Sequence, residues 1–81
     1  DCKVGQDAVL SSKVNLGGAV SIGKSTFIGM GALIKEKVKI GNSSIVGMSS
    51  VVYKDVMDDV IAIGNPARVA KKNLDKSVFN K

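Results

Sequence analysis

Residues 16–34 read Leu16-Gly17-Gly18-Ala19-Val20-Ser21-Ile22-Gly23-Lys24-Ser25-Thr26-Phe27-Ile28-Gly29-Met30-Gly31-Ala32-Leu33-Ile34. Leu16, Ile22, Ile28 and Ile34 stand six residues apart, and glycine follows the first three. Read outward from this stretch, the spacing continues to Val4 and Leu10 on one side and to Ile40, Val46 and Val52 on the other. The position after the aliphatic is Gly5, Gly17, Gly23, Gly29, Gly41 or Gly47, with Ser11, Lys35 and Tyr53 as exceptions. Two residues before each aliphatic runs a second column of small or β-branched residues: Cys2, Ala8, Val14, Val20, Thr26, Ala32, Val38, Ser44 and Ser50, with Val56 continuing it.

A helix cannot use this pattern. At about 100° per residue, a six-residue step turns successive aliphatics by roughly 240°, so they face three sides of the rod. Each recurrent glycine would also cost a helix about 1 kcal/mol. A hairpin sheet alternates every second residue and would not break at regular corners. A coil with three flat sides fits, each side being one short strand and one corner. Val4, Ile22 and Ile40 then form one inward ladder, Leu10, Ile28 and Val46 the second, and Leu16, Ile34 and Val52 the third. Neighbouring coils would lie about 4.8 Å apart and share backbone hydrogen bonds. The fold class expected is all-β, a single-stranded parallel β-helix with three hexads per coil.

The expected division is residues 1–57 as hexapeptide coils and residues 58–81 as an exit segment with a basic tail. The register is expected to hold from Val4 to Met57 and to break at Asp58-Asp59, with no loop extruded. Glycine after each aliphatic is expected to give the corner backbone conformations that side chains resist. Cys2, in the inward column, is expected to be a buried filler and not a nucleophile.

Composition narrows the functional classes. Three aromatic residues, Phe27, Tyr53 and Phe79, are few for a compact core of 81 residues, while nine glycines against one proline suit repeated tight corners. The charges of residues 1–67 nearly cancel, whereas residues 68–81 carry Arg68, Lys71, Lys72, Lys76 and Lys81 against Asp75. Such a patch can attract phosphate or can simply be solvated. With one cysteine and no histidine, the chain has neither a disulfide framework nor the ligands of a histidine-based zinc site. Its basic residues are not interleaved with stacking aromatics, which argues against nucleic acid. There is no apolar run of bilayer length and no signal peptide, so a soluble cytoplasmic protein is expected, without a membrane partner. The opening on Asp1 in place of methionine suggests a piece of a longer protein.

The hexads, ending in Ile63-Gly64-Asn65-Pro66-Ala67-Arg68, resemble the hexapeptide-repeat acyltransferases with a left-handed β-helix, over roughly residues 1 to 70. Within them the chain is similar to the C-terminal half of the sialic-acid and bacillosamine-type sugar acetyltransferases. The features behind this are the Asp1-Cys2 start and the run Leu16 to Gly23. The resemblance implies a left-handed helix, a homotrimer, and acetyl-CoA as co-substrate in the groove between two β-helices, with no metal. It implies a histidine base directly before Asp1, which Asp1 would orient, and a sugar or nucleotide-sugar acceptor; this chain alone would then be inactive. Cofactor contacts carried over by the resemblance are Gly18, Gly29, Met30, Gly47 and Met48 along the groove, with Lys54, Arg68 and Lys71 for the phosphates of coenzyme A. Two departures are Val9, where relatives carry a second histidine, and Met57, where they carry proline. The competing reading is a scaffold or the oligomerising tail of a nucleotidyltransferase, without chemistry. A β-helical carbonic anhydrase would need three histidines and is excluded.

Overall fold

The computed structural model describes residues 1–73, and Leu74, Val78, Phe79 and the remaining tail basic residues lie outside them. Nine two-residue strands come first: β1 (Lys3–Val4), β2 (Val9–Leu10), β3 (Asn15–Leu16), β4 (Ser21–Ile22), β5 (Phe27–Ile28), β6 (Leu33–Ile34), β7 (Lys39–Ile40), β8 (Ile45–Val46) and β9 (Val51–Val52). Two longer strands follow, β10 (Val60–Gly64) and β11 (Ala67–Lys72). β1 to β6 each pair in parallel with the strand three places on, and β8 pairs in parallel with β10. Lys3 lies opposite Ser21, Leu10 opposite Ile28 and Leu16 opposite Ile34. Three sheets result, with strand orders β1-β4-β7, β11-β10-β8-β5-β2 and β3-β6-β9.

The inward ladders form as the six-residue spacing requires. Ile28 and Val46 are fully buried, and Ile22, Ile34, Ile40 and Val52 nearly so. In the first coil, covered on one side, Val4 is 48% and Leu10 38% exposed. The small column lies inside as well, and its hydroxyls satisfy backbone groups at the corners. Thr26 Oγ1 donates to Gly41 O at 2.6 Å and accepts from Ser44 N at 3.2 Å. Ser44 Oγ repeats this with Met57 O at 2.6 Å and Val60 N at 3.3 Å. A hydroxyl tolerates this core because it is fully paired.

The outward residues give the three sides different characters. The β1-β4-β7 face presents Lys3, Ser21 and Lys39 in register, and the β2-β5-β8-β10 face Val9, Phe27, Ile45 and Ile61. The β3-β6-β9 face presents Asn15, Leu33 and Val51.

Three expectations need correction. First, glycine's conformational freedom is not what the corners use. Positive φ falls two residues later, at Asp7, Lys13, Ala19, Ser25, Gly31, Lys37, Ser43 and Ser49, mostly side-chain-bearing residues. These are third residues of type II-like turns, such as Gly29 O to Ala32 N at 3.2 Å. The glycine column answers to close approach instead. A Cβ at Gly29 would lie 2.6 Å from Met48 N, and one at Gly5 2.7 Å from Lys24 N, because the next coil's backbone crosses directly above.

Second, the register breaks earlier than Asp58-Asp59. Val52 lies opposite Ile34, an eighteen-residue step, but Val56 bridges Ile40, a sixteen-residue step. The corner after β9 is therefore two residues short. Val56 takes an aliphatic-ladder position, and the hexad then resumes, with Ala62 opposite Val46. Asp55 makes the short corner possible: its Oδ1 accepts from Lys39 N at 2.9 Å, where a longer corner would offer a carbonyl. Met57 consequently occupies a glycine position and is 65% exposed. Third, Cys2 is exposed, since it belongs to the first coil, with its Sγ 3.3 Å from Gly17 O.

At the far end β10 stacks in parallel on β8, and β11 folds back antiparallel along β10. The turn between them contains a cis Asn65–Pro66 peptide. Asn73 ties the end of β11 to the corner below through its backbone N to Asp59 O at 2.8 Å and its Nδ2 to Ser43 O at 2.9 Å.

Candidate functional site

The corners flanking the β3-β6-β9 face carry most of the candidate residues. The corner before it holds Gly29, Met30, Gly47 and Met48, and the corner after it holds Gly18, Glu36 and Lys54 in one column. Gly18 projects into open space, with nothing within 4 Å of a Cβ placed there. Met30 and Met48 stand out at 48% and 69% exposure. Gly29 is buried beneath Met48 and does not face solvent. A Cβ on Gly47 would meet Ile63 Cγ1 at 3.2 Å. These two glycines pack coils together, and the groove contact falls to the residues after them.

The corners differ in how their outward N–H groups are used. In the corner following β4 and β7, Lys24 N donates to Asn42 Oδ1 at 2.8 Å and Asn42 N to Asp58 Oδ1 at 2.7 Å. Side chains thus close that corner. Among the described residues, the N–H groups of Gly18, Met30 and Met48 make no hydrogen bond within the chain, while the carbonyls of Gly18 and Met30 accept from Lys37 N and Ser49 N. Exposed backbone donors of this kind suit amide and carbonyl groups of an extended ligand.

Two hollows adjoin the face. One, about 380 Å³, is lined by Asn15, Leu16, Leu33, Lys35, Glu36 and Tyr53 among others. Lys35 Nζ pairs there with Glu36 Oε2 at 3.5 Å. The Glu36 carboxyl is held below the ordinary glutamate range by its own backbone N–H and then by Lys35. The second hollow, about 220 Å³, lies between Tyr53, Lys54, Pro66, Ala67 and Arg68. It brings two of the expected phosphate ligands together. Lys71 is not among its walls; it pairs with Ile61 further along β11. Asp1 lies elsewhere, beside Lys3, Ser21 and Lys39 in a hollow of about 390 Å³. Tyr53, which lines both hollows on the groove face, stood out in the sequence only as an exception in the glycine column. An aromatic ring where glycine recurs was the available signal.

Comparison with known proteins settles what kind of scaffold this is. Residues 19–54 match the bacterial transferase hexapeptide (six repeats) family. Perosamine N-acetyltransferase from Caulobacter crescentus, solved as a histidine-to-asparagine mutant with CoA and GDP-perosamine, superposes with a TM-score of 0.87 and 40% identity over 89% of this chain. UDP-N-acetylglucosamine O-acyltransferase from Moraxella catarrhalis superposes with a TM-score of 0.90 and 37% identity over 93% of this chain. The chain is a hexapeptide-repeat left-handed β-helix. This β-helix spans 34% of the first of those proteins and 29% of the second. A third, the acetyltransferase domain of PglB from Neisseria gonorrhoeae in complex with acetyl coenzyme A, matches at 29% identity and a TM-score of 0.84, over 85% of the β-helix and 34% of that chain. Among its described residues no group of three or more histidine, cysteine, aspartate or glutamate side chains could hold a metal, and no helix is long and apolar enough to cross a membrane.

Proposed function

We propose that this β-helix is the donor-binding portion of an acetyl-CoA-dependent sugar O- or N-acetyltransferase, acting on a sugar or nucleotide sugar. The observation that carries the proposal is the row of exposed corner N–H groups at Gly18, Met30 and Met48. They flank a half-apolar face that leads to the paired cations Lys54 and Arg68. The CoA and acetyl-CoA complexes of similar proteins support the same reading.

In this reading the acyl donor lies along the β3-β6-β9 face of one subunit and is covered by a second subunit of a homotrimer. Met30, Met48 and Leu33 supply apolar contact, and the corner N–H groups bond the donor's amide carbonyls. Lys54 and Arg68 meet its phosphates, with Lys71 adding charge from further along β11. The acceptor hydroxyl or amine loses a proton to a base and attacks the thioester carbonyl. The C–S bond breaks as the tetrahedral intermediate collapses, and coenzyme A leaves as thiolate. A fixed backbone N–H, such as that of Gly18, would stabilise the oxyanion without reorganising. The base is assigned to a histidine directly before Asp1. By the eighteen-residue repeat that position falls in the column of Gly18, Glu36 and Lys54, at the groove's edge. A cytoplasmic location, where acetyl-CoA is available, belongs to the same reading.

Two measurements test this. Isothermal titration of coenzyme A into the 81-residue chain is expected to show saturable binding, and its absence would overturn the donor groove. Incubation of the chain with acetyl-CoA and amino-sugar nucleotides is expected to give no transfer above background; robust turnover would overturn the placement of the base.

A further inference from the structure

Of the three outward faces, the one built on β2, β5, β8 and β10 is apolar in every row, with Val9, Phe27, Ile45 and Ile61 in register. It is also more deeply buried than an outward position gives by itself. Leu33, at the matching place on the β3-β6-β9 face, has a strand on either side and is 44% exposed. Ile45 and Ile61 are likewise outward with a strand on either side, yet they are only 8% and 6% exposed. Neighbours within a sheet flank a side chain but do not lie over it. Lys71, opposite Ile61 on β11, is itself exposed. The burial is graded along the face. Ile61 and Ile45 are buried, whereas Phe27 and Val9, in the rows further from β11, are half-buried.

The deeply buried end is also where the chain leaves its last strand. Asn73, 4% exposed, donates its backbone N–H to Asp59 O at 2.8 Å and its Nδ2 to Ser43 O at 2.9 Å. Asp59 and Ser43 stand two residues before Ile61 and Ile45, so Asn73 is fixed at the margin of this face. Eight residues follow it, 74–81, of which Leu74, Val78 and Phe79 are apolar and the other five polar. Eight residues reach up to about 26 Å when extended, while the four rows of the face span about 14 Å. The segment is long enough to cross every row.

We infer that the occupant of this face is the chain's own final segment, residues 74–81, which sets Leu74, Val78 and Phe79 against Ile61, Ile45 and Phe27. The segment is a strap. It closes the face to a second copy of the chain and leaves the β3-β6-β9 face for contact between subunits. Without it, a continuous apolar stripe would face water and become a site of association.

The test compares the 81-residue chain with one ending at Asn73, by thermal unfolding and by binding of an apolar dye. Ending at Asn73 is expected to lower the midpoint by about 4–8 °C and to raise dye binding. Phe79→Asp in the full chain is expected to do the same, and Lys76→Gln to change neither. A double-mutant cycle then locates the contact. Ile61→Ala and truncation together should shift the midpoint by less than the sum of their separate shifts, because each removes the same contact. Leu33→Ala, on the neighbouring face, should add to truncation in full.

A midpoint and dye binding unchanged by both truncation and Phe79→Asp overturn the strap. Full additivity of Ile61→Ala with truncation overturns it as well. Should the full chain lose midpoint and gain dye binding on dilution, a second copy covers the face and the inference fails. If the shortened chain does not fold, the cycle is run with Phe79→Ala and Ile61→Ala in the full chain, where additivity is equally decisive against the strap.

Discussion

Neighbouring glycines in this chain have opposite jobs. Gly17 lies under the backbone of Glu36, so close that an added methyl would collide with its nitrogen. Gly18, one residue on, faces open space. Gly17→Ala should therefore lose about 1–3 kcal/mol of stability through a clash the backbone cannot relieve, and Gly18→Ala should stay within about 0.5 kcal/mol. Denaturant unfolding of the two variants checks the contrast, and equal effects would show that coil spacing is more forgiving than the geometry indicates. The same logic covers the inward ladders. Ile28 is fully buried at the middle of its column, so Ile28→Ala should cost about 3–4 kcal/mol, the transfer loss plus the cavity left behind. Ala19 shows where glycine would help: its φ of 59° is a conformation that costs an L-residue about 1 kcal/mol or more.

At the scale of the element, the short corner decides how the helix ends. Asp55 accepts from Lys39 N and so replaces the carbonyl that two further residues would have carried there. Asp55→Ala should cost about 1–2 kcal/mol, since a backbone donor loses its partner, whereas Asp55→Asn keeps an acceptor and should recover most of it. Thermal unfolding of the pair distinguishes a capping role from a charge effect. Corner Glu36 contributes differently. Its carboxyl lies below its ordinary range, so its small favourable effect is present at neutral pH and fades as pH falls through the acidic carboxylate range.

For the whole molecule, the proposed trimer rests on the different characters of the three outward faces. The face of Asn15, Leu33 and Val51, with Met30 and Met48 at its edge, is where a second subunit would bury apolar surface and enclose the donor. Sedimentation equilibrium should find a trimer, and M48K with M30K should shift it toward monomer and weaken coenzyme A binding together. A trimer that survives both charges, with binding intact, would move the interface to another face. With no histidine in the chain, a neutral-pH dependence of acetyl transfer in a longer protein would belong to residues outside this segment.

Much of this was legible in order along the chain. Six-residue spacing of branched aliphatics determined three inward ladders, because burial is a property of each residue's place in the period and needs no knowledge of distant partners. Lys54 and Arg68 could be named from type and position. Only the tertiary structure decided that they meet, since β11 reaches the corner after β9 by folding back from β10. It likewise decided why the glycines recur and where the register breaks. Val56 suits the small column and the aliphatic ladder equally well by residue type. Stacking on Ile40, made possible by the Asp55 carboxylate, selects between them, because backbone hydrogen bonds between coils depend on what lies above and below and not on what comes next in the chain.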